Sequence, residues 1–182
     1  MTRTDAGRVL EDGFKKARLA IYQAVSKALR ECAIRFVRES VAAYNGGNLT
    51  GNTLTSISAG IYERGMPGPI VISAREVMNL RRPKYRKLHE GGSFKGLDYD
   101  GHKRKGFVAT VETDGDYGEG TSFRFLQSYK LPANAAFGIV VTTGTEYSVY
   151  LTKEKELNYD VLVSTSKKAP HIADLEWKKI KL

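Results

Sequence analysis

The chain has 182 residues, of which 41% are hydrophobic and 27% are charged, and this balance is typical of one folded domain, with or without an arm, rather than of a disordered protein. The single cysteine, Cys32, excludes a disulfide-stabilised fold and a cysteine zinc site. The sequence has no signal-peptide pattern and no stretch near the ~20 apolar residues of a membrane span, so we expect no membrane contact and assembly in the cytoplasm.

The formal net charge is +9, and it is unevenly distributed. Residues 75–105 alone carry ten basic and four acidic side chains, which is about two-thirds of the excess. A cluster of this kind indicates either contact with a polyanion or a solvated loop that charge keeps soluble. The composition leaves both interpretations open.

Residues 1–45 predict one long helix. No Gly or Pro occurs from Phe14 to Tyr44, and Asn45 and the two glycines after it favour a helix end. Apolar residues recur in steps of three and four, which places them on one face; after Leu10 they are Phe14, Ala17, Ile21, Val25, Ala28, Cys32 and Phe36. At 1.5 Å per residue the stretch from Phe14 to Tyr44 alone is roughly 45–50 Å long, more than one small core covers.

Part of this helix is therefore expected to pack against a neighbouring subunit. The candidate contacts on it are Ile21, Val25, Cys32 and Phe36, although the position of Cys32 on the apolar stripe favours core packing over a reactive thiol.

Residues 52–72 predict a short helix and two strands. The helix begins at Thr50 or Asn52 and turns Leu54 and Ile57 inward. A strand over 58–63, a turn over 65–69, a buried strand over 70–72 and a helical turn over 74–80 follow.

Residues 81–106 predict an exposed basic arm, because Pro83 and recurring glycines oppose regular structure. Its candidate docking residues are Arg81, Arg82, Lys84, Arg86, Lys87, Lys103, Arg104 and Lys105. Tyr85, Phe94 and Tyr99 lie between them. Such an arm suits either non-specific contact with DNA or docking on a protein partner, and docking is favoured because the spacing matches no motif that reads bases.

In the rest of the chain, alternating apolar and polar residues predict strands, and the last residues predict a closing helix. The predicted elements are strands over 107–113, 122–129, 137–143, 147–151 and 159–163, a hairpin turn over 115–120 and a helix over 169–182. The expected fold is a single α+β domain, in which the long helix packs on a mostly antiparallel sheet of five to seven strands.

Patterns that would indicate catalysis are missing from the sequence. His89, His102 and His171 have no partner at metal-ligand spacing, and there is no nucleophile elbow, P-loop or dinucleotide-binding motif. The carboxylates of Glu112, Asp114, Asp116 and Glu119 suit a divalent cation less well than a contact with the basic arm of another subunit. We therefore expect no enzymatic activity and no cofactor.

Two segments resemble a known family. Residues 49–57 (LTGNTLTSI) and residues 140–151 (VVTTGTEYSVYL) are similar to the T-G-x-L-x-x-S-I segment and the G-T-x-Y-A-x-Y-x-E segment of head–tail joining, or tail-completion, proteins of long-tailed bacteriophages. The first segment has one extra residue between Gly51 and Leu54.

The resemblance implies a non-catalytic virion protein of the neck, assembled as a homo-oligomeric ring between the portal or an adaptor and the tail, around the channel for packaged DNA. It implies that Leu54 and Ile57 are packing residues and that Gly144 makes a turn. Tyr147 and Tyr150 would line the sheet beside a subunit contact.

Overall fold

The computed structural model describes residues 3–46, 52–77, 93–95, 108–110, 116–132, 134–145, 148, 152 and 159–180. Its elements are α1 (Arg3–Ala43), α2 (Asn52–Ser56), β1 (Ser58–Glu63), β2 (Met66–Ile72), α3 (Ser73–Glu76), β3 (Ser93–Lys95), β4 (Val108–Thr110), α4 (Asp116–Ser128), β5 (Phe137–Thr142) and α5 (Val163–Trp177). The predicted α+β class, with a long N-terminal helix and a short C-terminal one, is confirmed.

The main sheet is antiparallel and has the strand order β2-β1-β5. Ala59 of the central strand pairs with Val71 on one side and Val141 on the other. The β1–β2 turn is only two residues long, because Arg64 and Gly65 both adopt positive φ, the geometry of a tight hairpin. Residues 66–69, predicted as a turn, therefore belong to strand β2.

The described part of the chain has fewer strands in the main sheet than the five to seven expected. Strands β3 and β4 pair only with each other, within and just after the basic arm.

The C-terminal half of α1 packs across the sheet. Ala33 and Val37 are fully buried in a core that includes Leu54, Ile57 and Ala59. The prediction that α2 turns Leu54 and Ile57 inward is confirmed, since both side chains are buried. Ser73, at the start of α3, ties α2 to the sheet by donating from its hydroxyl to the Leu54 carbonyl at 2.5 Å.

Helix α4 replaces the hairpin turn and strand predicted over residues 115–129. The buried positions Gly118, Ser122 and Leu126 are four residues apart, which is a helical stripe. Phe123 and Phe125, whose alternation predicted a strand, are both exposed. The phenolic hydroxyl of the buried Tyr62 donates to the Leu126 carbonyl. This carbonyl is among the last four of the helix, which have no hydrogen-bond donor within the helix itself.

Helix α5 begins earlier than the predicted C-terminal helix and occupies the end of the strand predicted over 159–163. Residues 159–162 are not strand, because the Asp160 carboxylate accepts a hydrogen bond from the Ser164 N–H at 3.1 Å and so favours a helix start. The Asn45 side-chain oxygen accepts from the Asp160 N–H at 2.9 Å. The end of α1 and the approach to α5 are thereby joined. Pro170 lies inside this helix.

Helix α5 packs antiparallel on α1. The hydroxyls of Ser40 and Thr165 are 2.9 Å apart, and nearer the N-terminus of α1 the Arg35 guanidinium donates to the Glu176 carboxylate at 3.0 Å. Glu176 is buried and also accepts from the Lys179 ammonium at 2.7 and 2.8 Å. The bond from Lys179 and that from Arg35 lower the pKa of Glu176.

The Glu176→Gln substitution is expected to reduce stability by about 1–2 kcal/mol at neutral pH, because the amide loses the ion pairs with Arg35 and Lys179 and keeps only one acceptor oxygen. The pKa of Glu176 is lower in the folded than in the unfolded chain, so this contribution is present above the unfolded value and is lost as the pH falls through the folded one. Urea unfolding at pH 7 and at pH 3 measures the difference.

Glu39→Gln is the matched control. Its carboxylate lies 3.6 Å from the Lys168 ammonium, and both side chains are substantially exposed, so we expect a change below about 0.5 kcal/mol. Equal losses in the two variants at pH 7 would contradict the stabilising role of Glu176.

Candidate assembly surface on the N-terminal helix

The N-terminal half of α1 extends beyond the body of the protein. Residues 5–23 are all exposed, and Ala28 is the first buried position in chain order. At 1.5 Å per residue this exposed length is about 28 Å. Tyr22 contacts the body, since its hydroxyl donates to the Glu63 carboxylate at the end of β1. This hydrogen bond raises the pKa of Tyr22.

The exposed helix has one face without charge. At 100° per residue, ten apolar and small residues between positions 6 and 25 fall within a sector about 140° wide, and Val9, Leu19 and Tyr22 lie outside it. The ten are Ala6, Gly7, Leu10, Gly13, Phe14, Ala17, Ala20, Ile21, Ala24 and Val25. The charged residues of the same stretch occupy the opposite half; they are Asp5, Arg8, Glu11, Asp12, Lys15, Lys16 and Arg18. Phe14 is 74% exposed, so the described chain leaves this uncharged face largely uncovered.

This uncharged face continues the side of α1 that α5 covers. Phe14 and Cys32 are separated by 18 residues, about five full turns, and therefore point in the same direction. Cys32 is buried together with Phe36 against Ile172 of α5. Helix α5 ends at Trp177, one residue after Glu176, whose carboxylate accepts from Arg35, so the helix does not continue along the N-terminal half of α1. The same kind of surface is thus covered in one half of α1 and bare in the other.

Two glycines lie on the uncharged face, and the described part of the chain gives no packing reason for either. A glycine inside a helix costs roughly 0.5–1 kcal/mol relative to alanine. A Cβ atom added to Gly7 or Gly13 would meet nothing within 4 Å. Packing inside the described protein therefore does not require either glycine. Glycines at such positions allow another backbone to approach closely.

The predicted subunit contacts on α1 divide into two pairs. Ile21 is 48% exposed and Val25 is half-buried, so both border or belong to the uncharged face. Cys32 and Phe36 are buried against α5 of the same chain, which removes them from the set of candidate subunit contacts. Burial also raises the pKa of the Cys32 thiol, as expected for a packing residue.

Most other predicted site residues lie outside the described part of the chain. They are Arg81, Arg82, Lys84, Arg86, Lys87, Lys103, Arg104, Lys105, Glu112, Asp114, Tyr147 and Tyr150. Asp116 is the first residue of α4, and Glu119 is half-buried in the same helix. Helix formation over 116–120 replaces the hairpin turn predicted there, and the contact of the acidic residues with the basic arm stays a prediction.

The structure brings the two resembling segments together. The hydroxyls of Ser56, at the end of α2, and Thr143, just after β5, are 2.6 Å apart. The Ser122 hydroxyl of α4 donates to the Ser56 carbonyl. Gly144 packs against the backbone of α4 at Gly118 and Ser122. This buried group of hydroxyls joins three elements, and its composition of common polar residues gave no signal in the sequence.

No family model, curated protein or solved structure matches this chain. Among the described residues, no three metal-binding side chains come together, and no helix is both long enough and apolar enough to span a membrane. The described part of the chain also contains a pocket of about 300 Å³ beside the start of α5. Its lining is Thr143, Ser148, Thr152, Val161, Leu162, Val163 and Ser166, none of which titrates near neutral pH.

Proposed function

We propose that this protein is a structural subunit of a bacteriophage virion, which forms a ring at the junction of head and tail and docks the portal to the tail. The uncharged face of α1 carries the proposal. An exposed apolar surface about 28 Å long is unfavourable in water, and proteins that expose such surfaces usually cover them with a partner.

The geometry of the body supports a role in assembly. The C-terminal half of α1 is held by the sheet and by α5, with the Arg35–Glu176 ion pair fixing its position. The exposed half is thus the extension of a well-anchored helix. Such an extension presents a defined surface to a neighbouring subunit, as the register of a ring requires.

The resemblance to head–tail joining proteins is the reason for proposing a ring at the junction of head and tail. Its two segments, residues 49–57 and 140–151, meet through the Ser56–Thr143 contact. Leu54 and Ile57 pack as the resemblance implies. In the proposed assembly, identical subunits surround the channel for packaged DNA and contact the portal or an adaptor on one side and the tail on the other.

Substituting Phe14 by Asp is expected to abolish ring formation without unfolding the body, because a charge would then have to be buried at the centre of the uncharged face. The protein is coexpressed with the portal protein encoded nearest to it, and the purified complexes are measured by native mass spectrometry and negative-stain imaging. Lys16→Asp, on the opposite side of the helix, should leave the ring intact. A wild-type protein that stays outside every portal complex and forms no ring would overturn the proposal.

A second candidate function rests on the basic arm, in which residues 81–105 carry nine basic side chains. A non-specific nucleic-acid-binding protein would bind DNA with an affinity that falls steeply with salt. Fluorescence anisotropy with labelled DNA at 50 and 200 mM salt distinguishes it from the ring protein. Tight, salt-sensitive binding by a protein that never assembles would favour this alternative.

A further inference from the structure

We infer that, in the free protein, the uncharged face of α1 is covered by the same face of a second copy, with the two helices antiparallel. This dimer is a state of the protein before it meets a partner, and the inference does not depend on the phage assignment. Four features of the described chain support a second copy as the occupant.

The first feature is the helix that already covers this side of α1. Helix α5 runs antiparallel to α1, as the Ser40–Thr165 and Arg35–Glu176 contacts show. The contacts described for it reach Cys32, which lies one turn from Ala28, the first buried position of α1. An antiparallel α1 from a second copy would continue the line of α5 in the same direction. The N-terminus of that helix would meet the C-terminal end of α5, which places opposite ends of two helix dipoles together.

The second feature is a seven-residue repeat on the uncharged face. Gly7, Leu10, Phe14, Ala17, Ile21, Ala24 and Ala28 are separated alternately by three and four residues, the spacing at which two helices pack side by side.

The third feature is the fit of sizes in one antiparallel register. When Phe14 of one copy faces Ala17 of the other, Leu10 faces Ile21. The large Phe14 ring is then opposite the small Ala17, and two aliphatic side chains, Leu10 and Ile21, face each other. The Phe14–Ala17 layer occurs twice by symmetry. On one flank of this register Gly13 lies near Ala20. Two small residues at that position allow the backbones to approach, which accounts for a glycine that the single chain does not need.

The fourth feature is charge complementarity on the other flank. In the same register Glu11 of each copy lies beside Arg18 of the other, so two pairs of opposite charge border the apolar contact. A parallel pair of helices would not place these residues opposite each other. The charges thus favour the antiparallel arrangement over the parallel one.

The contact is isologous and closes after two copies. It therefore keeps the uncharged face out of water without starting a ring. Incorporation at a portal would require the dimer to open and expose the face. The free protein would therefore remain a dimer, outside any ring, until the portal is present.

Two charge-reversal variants test the register. Glu11→Arg and Arg18→Glu are each expected to raise the dissociation constant of the dimer by roughly ten-fold, because attraction becomes repulsion in both symmetric pairs. Mixing the two variants should form a heterodimer of near wild-type affinity, since every pair is then opposite in charge. Sedimentation equilibrium of the purified proteins at low salt measures all three constants.

Cysteine pairing tests the orientation. A mixture of Leu10→Cys and Ile21→Cys chains should form a disulfide-linked heterodimer on mild oxidation, whereas Leu10→Cys alone should not cross-link, because its two copies would be about 16 Å apart. Wild-type protein, whose only thiol is the buried Cys32, is the control. Three outcomes would overturn the inference. The Leu10→Cys chains could cross-link with each other, the wild-type protein could be monomeric at every concentration, or the wild-type protein could form rings without a portal. The last of these outcomes would leave the proposed ring function standing, so the two failures are distinguishable.

Discussion

The Gly144→Ala substitution is expected to destabilise the protein by about 3 kcal/mol. A Cβ atom at this buried position would lie 2.5 Å from the Ser122 nitrogen and still closer to the Gly118 carbonyl oxygen. Both atoms belong to the backbone of α4, so no side-chain rotation relieves the collision. Helix α4 would have to move away from β5, and the hydrogen bond from Ser122 to the Ser56 carbonyl would be strained with it.

Gly120→Ala is the matched control, because it lies in α4 only two residues from Gly118. An added Cβ would lie 3.8 Å from the end of the Arg124 side chain, which is an ordinary van der Waals contact. Alanine favours a helix by up to about 1 kcal/mol over glycine, so this variant should be as stable as the wild type or more so. Thermal unfolding followed by circular dichroism measures both, and a Gly144→Ala protein with an unchanged midpoint would contradict the packing described.

The Leu54→Ala substitution is expected to cost about 3 kcal/mol as well, for a different reason. Leu54 is only 1% exposed and lies in the core between α1 and the sheet. Removing its side chain loses buried apolar surface and leaves a cavity, which costs roughly 2–5 kcal/mol in well-packed proteins. For a chain of this length the melting temperature should fall by about 6–12 °C.

Leu19→Ala removes the same atoms from the exposed half of α1, where the leucine is 56% exposed. Its position is on the charged side of the helix, outside the proposed dimer contact. We expect a change below about 0.5 kcal/mol in urea unfolding. Equal losses of unfolding free energy in Leu54→Ala and Leu19→Ala would contradict the assignment of Leu54 as a core packing residue.

The body and the projecting helix are expected to respond differently to substitution. Changes at Leu54 or Gly144 act on folding, because their neighbours are elements of the same chain. A change at Phe14 acts on assembly, because its described surroundings are open. A library of variants should therefore separate into a class with lowered melting temperature and a class with altered oligomeric state.

The elements with a clear period were predictable from the sequence. The apolar residues of α1 recur every three or four positions, the residues of β1 alternate before a turn, and β5 is apolar and rich in β-branched residues. The inward side chains of α2 were also predictable, since Leu54 and Ile57 share one side of a short helix. In these segments the local preference and the burial imposed by the fold agree.

Helix α4 could not be predicted, because its local pattern and its tertiary environment disagree. The alternation around Phe123 and Phe125 is typical of a strand, yet both rings are exposed. What holds the segment as a helix is the packing of Ser122 and Leu126 against elements more than 60 residues away in the chain. Such contacts override weak local propensities.

The candidate surface was partly determined by the sequence alone. The length of α1 and its uncharged face follow from spacing and composition, so an apolar surface too long for one small core was predictable. Only the tertiary structure decided which half of that surface stays exposed in the described chain. Because α5 folds back antiparallel and covers Cys32 and Phe36, the remaining apolar surface is the N-terminal half, and burial by a distant segment is a property that no local pattern contains.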